Sequence, residues 1–398
     1  MIDHRAVGKP FIITSFLRAS ILAPVMALAG CLGIGTEAPT PDVVVSQTPL
    51  PQEEAAVIGD GAITIAMLLP LSAGGSASGL AQSFQNAATL AMDEVSEDNI
   101  RIIVRDTAGD EDVARRAAES AVTEGAQLIL GPVFAQSVRG AGDPARAANV
   151  PVIAFSTDSS VSGRNVYLLS FLPRQDATRV VEYAAERGVG AFAALVPDDG
   201  YGLVMEAAFR EAVAANGGRT VTVERYAAGE IDAAVTALVA RGAFDALFVP
   251  AGGDDPAAVA AALSRAGIDA RLLGSGQWAN EAVTSAPGLA GAWYPAPAGD
   301  GFAAFSQRYQ SRYGAAPPRT ASLVYDAALL ANGLVGARGA SAFRPESLQA
   351  SDGFLGVDGI FRLTSEGLSE RGLAVFEVGE GGGASVVSPA PTKFDRSF

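Results

Sequence analysis

Short apolar runs recur along the chain, separated by helix-length segments rich in Ala, Glu and Arg. Runs without polar alternation are typical of strands buried on both faces, as in a parallel sheet. Between two of them, Val113, Ala117 and Ala121 recur every four residues and give a helix one small apolar face. The first series is ITIAMLLP (63–70), IRIIVRD (100–106), LILGP (128–132) and PVIAFS (151–156). This repeated strand and helix winding predicts an α/β unit.

A second series of the same form follows. It consists of AFAALVP (191–197), TVTVERY (220–226), ALFVP (246–250) and RLLGSG (271–276). We interpret NVYLLSFLP (165–173) as the first crossing between the two series. The helix over 320–334 and the hairpin-like stretch over 353–367 are expected to return the chain to the hinge or the first lobe. Because about 320 residues exceed what one core usually holds, two doubly wound parallel-sheet lobes with a hinged cleft between them are predicted.

The predicted domain limits follow from these runs. The folded domain covers 61–378, with lobe 1 at about 61–165 plus the returning C-terminal segments and lobe 2 at about 173–320. Residues 379–398 are predicted to be a flexible tail.

The N-terminal region has the pattern of a secretory signal over residues 1–30. Basic residues precede the short apolar stretch 19–27, which is too short to span a bilayer. LAGC (28–31) then resembles the lipobox of bacterial lipoproteins, in which the cysteine is acylated, so Cys31 is the predicted lipidation site. The Pro-rich residues 31–60 are predicted to form a disordered tether. The protein is therefore expected to be held at a membrane by lipid.

Composition excludes several functions. The net charge of −15 makes nucleic acid an unsuitable partner. Residues 63–378 contain no His, Cys or Lys, which excludes Ser-His and Cys-His dyads, Schiff-base lysines and His or Cys metal sites. We therefore predict no enzyme, no cofactor and no metal, with a carboxylate-only enzyme as the remaining catalytic alternative.

Four motifs together resemble a known family. MLLPLSAGGSASGLAQSFQNAATLAMDEV (67–95), DDGYG (198–202), VYDAALLA (324–331) and GVDGIFRLTSEG (356–367) occur in the order and spacing of type I periplasmic binding proteins of the leucine/isoleucine/valine-binding class. The resemblance covers nearly all of 63–378. It implies the two-lobed fold and a ligand site between the lobes.

A narrower resemblance lies in DTAGDEDVARRAAESAVTEGAQLILGPVFAQSV (106–138). This stretch is similar to a branch of penicillin-binding-protein activators, which are outer-membrane lipoproteins that stimulate peptidoglycan synthases by contact. The better-known members carry a helical-repeat domain before this one, and here only the predicted tether precedes it. The resemblance implies a bifunctional penicillin-binding protein as partner and the periplasmic face of the outer membrane as location. Inner-membrane anchoring is the alternative.

Ligands of open α/β sheets bind beyond the carboxyl ends of the strands, so the loops there supply the candidate site. In lobe 2 these loops are 198–201, 251–254 and 275–278. Ser and Thr hydroxyls suit a carboxylate, with helix capping as the alternative explanation for them. The resemblance implies that Ser137 and residues 156–160 contact a ligand carboxylate and that Tyr201 lies in the cleft, with interlobe packing as the alternative for Tyr201. The candidate residues are Ser72, Ser137, Ser156, Thr157, Asp158, Ser160, Tyr201, Gln277 and Trp278.

One departure from the family concerns the ligand ammonium group. Amino-acid-binding relatives place a carboxylate after the strand that corresponds to RLLGSG, whereas this chain has Gly276, Gln277 and Trp278 there. Asp254 and Asp255 are near, but capping explains them. We therefore expect a cleft without an ammonium site, which favours an activator acting by contact. A solute-binding lipoprotein for an ABC importer of amino acids or related molecules is the alternative.

Overall fold

The computed structural model describes residues 56–394. The predicted signal, Cys31 and most of the tether lie outside these residues, as do the last four residues of the predicted tail. No helix that the structure describes combines the length and apolar character needed to cross a membrane.

The first lobe is built on a six-stranded sheet in the order β1-β3-β2-β4-β5-β6. Its strands are β1 (Val57–Ile58), β2 (Ile63–Leu69), β3 (Ile100–Asp106), β4 (Ile129–Leu130), β5 (Val152–Ala154) and β6 (Val166–Leu168). Its helices are α1 (Ser76–Asp93), α2 (Glu111–Thr123) and α3 (Ala135–Ala147). All neighbouring strands are parallel except β1, which runs antiparallel to β3. Helices cover both faces, which is why the strand sequences are apolar throughout.

The second lobe has a seven-stranded sheet in the order β16-β15-β11-β10-β9-β7-β8. Its first strands are β7 (Ala191–Pro197), β8 (Arg219–Tyr226), β9 (Ala246–Phe248), β10 (Arg271–Leu273) and β11 (Trp293–Ala296). Its helices are α4 (Pro173–Glu186), α5 (Gly200–Ala215), α6 (Ile231–Val239), α7 (Asp255–Arg265) and α8 (Glu281–Thr284). The predicted fold of two doubly wound lobes is confirmed.

The chain then returns to the first lobe through α9 (Gly301–Tyr313), α10 (Ala321–Arg338) and α11 (Pro345–Leu348). A small antiparallel sheet follows, formed by β12 (Phe354–Gly356), β13 (Gly359–Leu363) and β14 (Ser369–Arg371). Phe305, Tyr325 and Phe361 from these segments share one buried cluster with Phe84 of α1. The first lobe is therefore completed by residues far along the chain.

The last strands depart from the predicted limits. β15 (Ala374–Val378) and β16 (Ala384–Ser388) join the sheet of the second lobe, where β15 pairs antiparallel with β11. Residues 384–388 are thus a paired edge strand, which corrects the prediction that they belong to a flexible tail. Likewise, residues 57–58 of the predicted tether are strand β1, paired with β3. β1 has only two residues, and β16 follows a run of glycines. Neither sequence therefore shows a hydrophobic pattern from which a strand could be predicted.

Three passages connect the lobes, at 169–172, 297–300 and 372–373. The first lies slightly later than predicted, because 166–168 form the edge strand β6 of the first lobe. The first passage contacts β14, the strand that ends just before the third passage, since the Ser170 amide donates to Ser369 Oγ at 3.4 Å and Ser369 Oγ donates to the Ser170 carbonyl at 3.3 Å. We refer to the region of these three passages as the hinge.

Candidate functional site

The carboxyl ends of the parallel strands define one edge of each lobe, and the loops at these edges form the interlobe cleft. Among residues 56–394, no side-chain hydrogen bond or ion pair joins the cleft loops of one lobe to those of the other. The side-chain contacts between the lobes are confined to the hinge. Each face of the cleft is therefore described separately.

The cleft face of lobe 2 carries a carboxylate that the sequence reading missed. Asp176, in the first turn of α4, accepts a hydrogen bond from the Gly276 amide, 2.9 Å from its Oδ2. Gly276 directly follows β10, in the loop that lacks a carboxylate of its own. The premise of the expected cleft without an ammonium site, that no carboxylate lies at this loop, is therefore wrong, because a neighbouring element brings an acidic group to it.

Asp176 lies in a strongly desolvated position. It retains some contact with solvent, yet protein surrounds it closely enough that burial raises its pKa to about 7, partly offset by the hydrogen bond from Gly276. No Arg or Lys side chain in the described part of the chain forms an ion pair with it. A carboxyl group in this state gains from a cationic partner, which would restore its charged form.

Tyr201 lies beside this carboxylate. Its hydroxyl is 3.2 Å from both the Pro250 carbonyl and Ser275 Oγ, and Ser275 Oγ donates to the same carbonyl at 2.7 Å. Burial raises the pKa of Tyr201 to about 12, and the charge of Asp176 contributes to the shift. Tyr201 and Ser275 thus form a fixed hydrogen-bonded pair next to Asp176.

Two residues predicted in this loop differ in their surroundings. Gln277 is exposed, and its side chain stands near Gly252. Trp278 is fully buried in the core of lobe 2, where its Nε1 donates to the Ala251 carbonyl at 2.9 Å. Trp278 is therefore not a candidate ligand contact, because its indole lies in the core and supports the loop from that side.

One member of the nearby acidic pair is held by a tyrosine of the same lobe. Asp255 Oδ2 accepts a hydrogen bond from the Tyr226 hydroxyl at 2.6 Å, which ties α7 to the end of β8. Asp254 precedes α7 without forming a side-chain cap. The capping explanation of these two residues is therefore not what the structure shows.

The cleft face of lobe 1 is formed by loops that bond within themselves. Ser72 donates its amide to Asp106 Oδ1 at 3.2 Å, and the Ala108 amide donates to the same oxygen at 2.8 Å. Burial opposes ionisation of Asp106, but these hydrogen bonds, together with one from the Ser72 side chain, lower its pKa. Asp106 therefore holds the loop after β2 in place.

The segment after β5 is a 3₁₀ turn that presents hydroxyl groups to solvent. Asp158 accepts a hydrogen bond from the Ser160 amide at 3.0 Å, and Ser156 Oγ accepts one from the Asp158 amide at 3.2 Å. Hydrogen bonds from Ser160 lower the pKa of Asp158. Asp158 is thus a capping residue, whereas the side chains of Thr157 and Ser160 are exposed.

Ser137 does not belong to this face. It is fully buried between α2 and α3, and its Oγ lies 3.5 Å from the Asp110 carbonyl. The prediction that Ser137 contacts a ligand is therefore wrong. Helix α3 begins at Ala135, and its third residue, Ser137, points into the core. What this region offers a ligand is the start of the helix itself.

Two helices of lobe 1 begin without a side-chain cap. Gly75 precedes α1 and Phe134 precedes α3, and neither provides an oxygen for the first amides. Free amides at a helix start, together with the helix dipole, attract carboxylates. Lobe 1 thus offers amides and hydroxyls suited to an anionic group.

The sequence did contain a signal for Asp176. PRQD (173–176) follows the first passage directly, with Pro at the first position of a helix and an acidic residue in its first turn. Such a residue is ordinarily explained by the helix dipole. Only the packing of α4 against the loop after β10 shows that it also faces the cleft.

Comparison with known proteins agrees with this architecture. A family model described as "Periplasmic binding protein" matches residues 62–382. A search of curated protein sequences found no match to this chain.

Several solved structures share the fold. A candidate branched-chain amino acid ABC transporter protein from Rhodospirillum rubrum is 23% identical, with a TM-score of 0.72, and the match covers 82% of this chain and 99% of that one. The substrate-binding protein LivJ from Streptococcus pneumoniae, solved with isoleucine, is 21% identical over 82% of this chain and 99% of its own, with a TM-score of 0.55. A solute-binding protein from R. palustris, solved with benzoate, is 19% identical over 85% and 99%, with a TM-score of 0.56.

Proposed function

Because the chain belongs to the periplasmic binding protein family, we propose that it is a solute receptor that closes on a small amine-bearing carboxylate and delivers it to an ABC importer. The observation that carries this proposal is Asp176, a desolvated carboxylate held at the loop after β10 without a cationic side chain beside it. The uncapped starts of α1 and α3 supply the complementary donors for the carboxylate end of the ligand. The two faces together suit a zwitterion.

Two of the solved structures with this fold contain small carboxylates, but their ligands differ. One was solved with isoleucine and another with benzoate, an anion that has no ammonium group. The acidic group of this cleft argues for the first type, because a benzoate-like ligand would leave Asp176 without a partner. The receptor is thus expected to discriminate between an amino acid and the matching carboxylic acid.

The test is calorimetry on the purified chain with a panel of free amino acids and their deaminated analogues. We expect at least one amino acid to bind with micromolar affinity, and Asp176→Asn to weaken it by about a hundredfold, near 2.7 kcal/mol. The analogues should bind poorly to both forms. Asp232→Asn is the matched control, since Asp232 is an exposed residue of α6 paired with Arg265. Equal binding by the wild type and Asp176→Asn would refute the assigned ligand class.

The second candidate function is activation of a bifunctional penicillin-binding protein by contact. Its support is the resemblance of 106–138 to the activator branch and the exposed apolar pair Leu203 and Val204 on α5. A pull-down and a glycan-polymerisation assay with the cognate synthase test it, with the double variant Leu203→Ser, Val204→Ser as the probe of the surface. Stimulation that this variant abolishes, together with no amino-acid binding, would favour the activator.

Both candidates include a lipid anchor at Cys31, which we propose on the LAGC motif. Acylation requires the thiol, so Cys31→Ser should abolish incorporation of a fatty-acid analogue and release the protein from the membrane fraction. Labelling that persists in the variant would contradict the proposed site. Fractionation of inner and outer membranes decides the location.

A further inference from the structure

The segment that follows β16 leaves lobe 2 and reaches lobe 1. Strand β16 pairs with β15 in the sheet of lobe 2 and ends at Ser388. Six residues later, Phe394 lies against the small antiparallel sheet of β12, β13 and β14. That sheet belongs to lobe 1, because Phe361 of β13 lies in the core cluster of this lobe. Residues 389–394, which we refer to as the strap, therefore cross between the lobes beside the three passages.

The lobe 2 end of the strap is fixed by an arginine of α4. Arg179 Nε donates a hydrogen bond to the Leu373 carbonyl of the third passage at 2.9 Å. Its Nη2 donates to the Oγ of Ser388, the last residue of β16, at 2.5 Å. Because α4 and β16 both belong to lobe 2, these bonds hold the start of the strap to lobe 2.

The middle of the strap lies along the third passage. A β-carbon on Gly372 would lie 3.0 Å from the Pro391 carbonyl oxygen and 3.3 Å from Pro391 Cγ, so the strap and the passage are in direct contact. Pro389 and Pro391 each hold their own φ near about −65°, which leaves the strap fewer conformations than an ordinary segment of the same length. The strap is thus a restricted link and not a slack one.

The lobe 1 end of the strap is the ring of Phe394. The Arg362 guanidinium of β13 stands over this ring, with Cζ 4.6 Å from the centroid. Arg362 is itself held by an ion pair with Glu370 of β14 at 2.6 Å. A β-carbon on Gly353 would lie 2.8 Å from Phe394 Cε2, so the absence of a side chain there leaves room for the ring. Arg362 and Gly353 thus form a seat for the partly buried ring.

The strap differs from the three passages in how it is attached. The passages are covalent on both sides, whereas the contact of Phe394 with its seat is a cation–π and packing contact that can break and re-form. Ser388 moves with lobe 2, and the seat moves with lobe 1. Rotation of one lobe against the other must therefore deform the strap or release the ring.

We propose that the strap restrains the two lobes in the arrangement described here, with the seated ring of Phe394 as its releasable end. While the ring is seated, the lobes keep this arrangement, and when it leaves the seat they sample a wider range of orientations. Any movement of the lobes, whatever its cause, has to work against this contact. The inference does not depend on the proposed function, because it concerns the chain without a ligand.

The first test measures the interlobe distance in the ligand-free chain. The chain has a single cysteine, so Cys31→Ser with Glu119→Cys on α2 and Ala214→Cys on α5 provides two spin-label sites, one on each lobe. Phe394→Ala should broaden the distribution of the distance between the labels by about twofold, because the lobes lose their restraint. An unchanged distribution in this variant would overturn the proposal.

Two further variants of the labelled chain act as controls. Phe394→Tyr keeps an aromatic ring over Arg362 and should keep the distribution of the unmodified strap. Tyr313→Ala is the matched control, since Tyr313 is a partly buried ring beside Arg312 that lies within lobe 1. It should also leave the distribution unchanged. Equal broadening by Tyr313→Ala and Phe394→Ala would overturn the proposal, because loss of any partly buried ring would then loosen the lobes.

The second test uses the wild-type chain without labels. Lys393 is the only lysine after residue 9, so a lysine-specific protease cuts the folded domain at one bond, directly before Phe394. A seated ring should protect this bond, and cleavage of the native chain should be about tenfold slower than cleavage of the urea-unfolded chain. Phe394→Ala should lose this protection relative to its own unfolded form. Native cleavage as fast as that of the unfolded chain would show that the ring is not seated.

The two tests together separate a restraint from a mere covering contact. Protection of the Lys393 bond combined with a distance distribution that Phe394→Ala broadens supports the strap. Protection without any broadening would show that the ring is seated but does not restrain the lobes, and would overturn the proposal.

Discussion

The two faces of the cleft are built in different ways from the same kind of lobe. In lobe 2, Asp176, Tyr201 and Ser275 come from three separate elements and are fixed by hydrogen bonds to backbone groups. In lobe 1, the hydroxyls of Thr157 and Ser160 are exposed on one short turn. For the proposed receptor, the difference means that lobe 2 would present a preformed half-site, whereas the contacts of lobe 1 would be completed on closure. A preformed half lowers the ordering cost of binding.

The largest expected effect concerns the support of the preformed face. Trp278→Ala removes a fully buried indole beneath the loop after β10 and should cost about 3–5 kcal/mol of unfolding free energy. Hydrogen exchange should increase in β10 and the loop at Ala251, whereas β2 and β5 of lobe 1 keep their protection. Equal loosening of both lobes would show that the lobes do not differ in this respect.

The next effect is the pH dependence of binding. Since burial raises the pKa of Asp176 to about 7, the carboxylate form that an ammonium ligand requires is the minor form at pH 6 and the major form at pH 8. Affinity for an amino acid should therefore rise about tenfold between these values, and Asp176→Asn should remove the change. The pKa of Tyr201, about 12, lies outside this window. An affinity that falls as the pH rises would contradict the assignment.

The same shift has an opposite consequence for the ligand-free chain. A carboxyl group whose folded pKa exceeds its ordinary value of 3.8 keeps a proton that the unfolded chain releases, so stability is lost as the pH rises through about 7. Asp326 contributes in the same direction. Thermal unfolding at pH 5 and pH 8 should show a smaller loss in Asp176→Asn than in the wild type.

A smaller effect is expected at Tyr201. Tyr201→Phe removes the hydroxyl bonded to the Pro250 carbonyl and Ser275, and should cost about 1 kcal/mol of stability. Ser275 keeps its own bond to Pro250, so the backbone of the loop should persist. Calorimetry should show weaker ligand binding than in the wild type, with Tyr183→Phe in the lobe 2 core as the control. An unchanged affinity would mean that the Tyr201 hydroxyl has no role in ligand binding and that the ring contributes only to packing.

The smallest effect is expected in lobe 1. Ser160→Ala removes an exposed hydroxyl and should change stability by no more than about 0.5 kcal/mol. Its effect on ligand affinity should appear in the dissociation rate, because the contact forms only when the lobes close. A variant that fails to bind at all would show that lobe 1, and not lobe 2, holds the preformed half.

The fold was predictable because the strands buried on both faces are continuous apolar runs. ITIAMLLP matches β2 except for its last residue, Pro70, and AFAALVP matches β7 in full. β16 escaped prediction because ASVVS is an exposed edge strand held by pairing with β15, not by burial. Edge strands of this kind depend on a partner that the local sequence does not reveal.

The site was less predictable, for a reason visible in two residues. Trp278 belongs to the loop after β10 and points into the core, where it bonds to the Ala251 carbonyl. Asp176, about 100 positions earlier in the chain, bonds to Gly276 of the same loop. The position of a loop after a parallel strand predicts that the loop lies at the cleft. It does not predict which of the loop's side chains point into the core and which point into the cleft. The carboxylate at this face, Asp176, comes from α4, which is distant in sequence from the loop after β10. Only the tertiary packing of α4 brings it there.

The threading of the chain through the hinge has a consequence for its biogenesis. Any chain is synthesised from its N-terminus, yet α10, twelve of whose eighteen residues are buried, and β15, which lies inside the second sheet, are among the last segments to be made. Until then β11 is an unpaired edge, and the part of α1 that packs against α9 and α10 is not covered. Neither lobe can therefore be completed until the final strands of the chain are available.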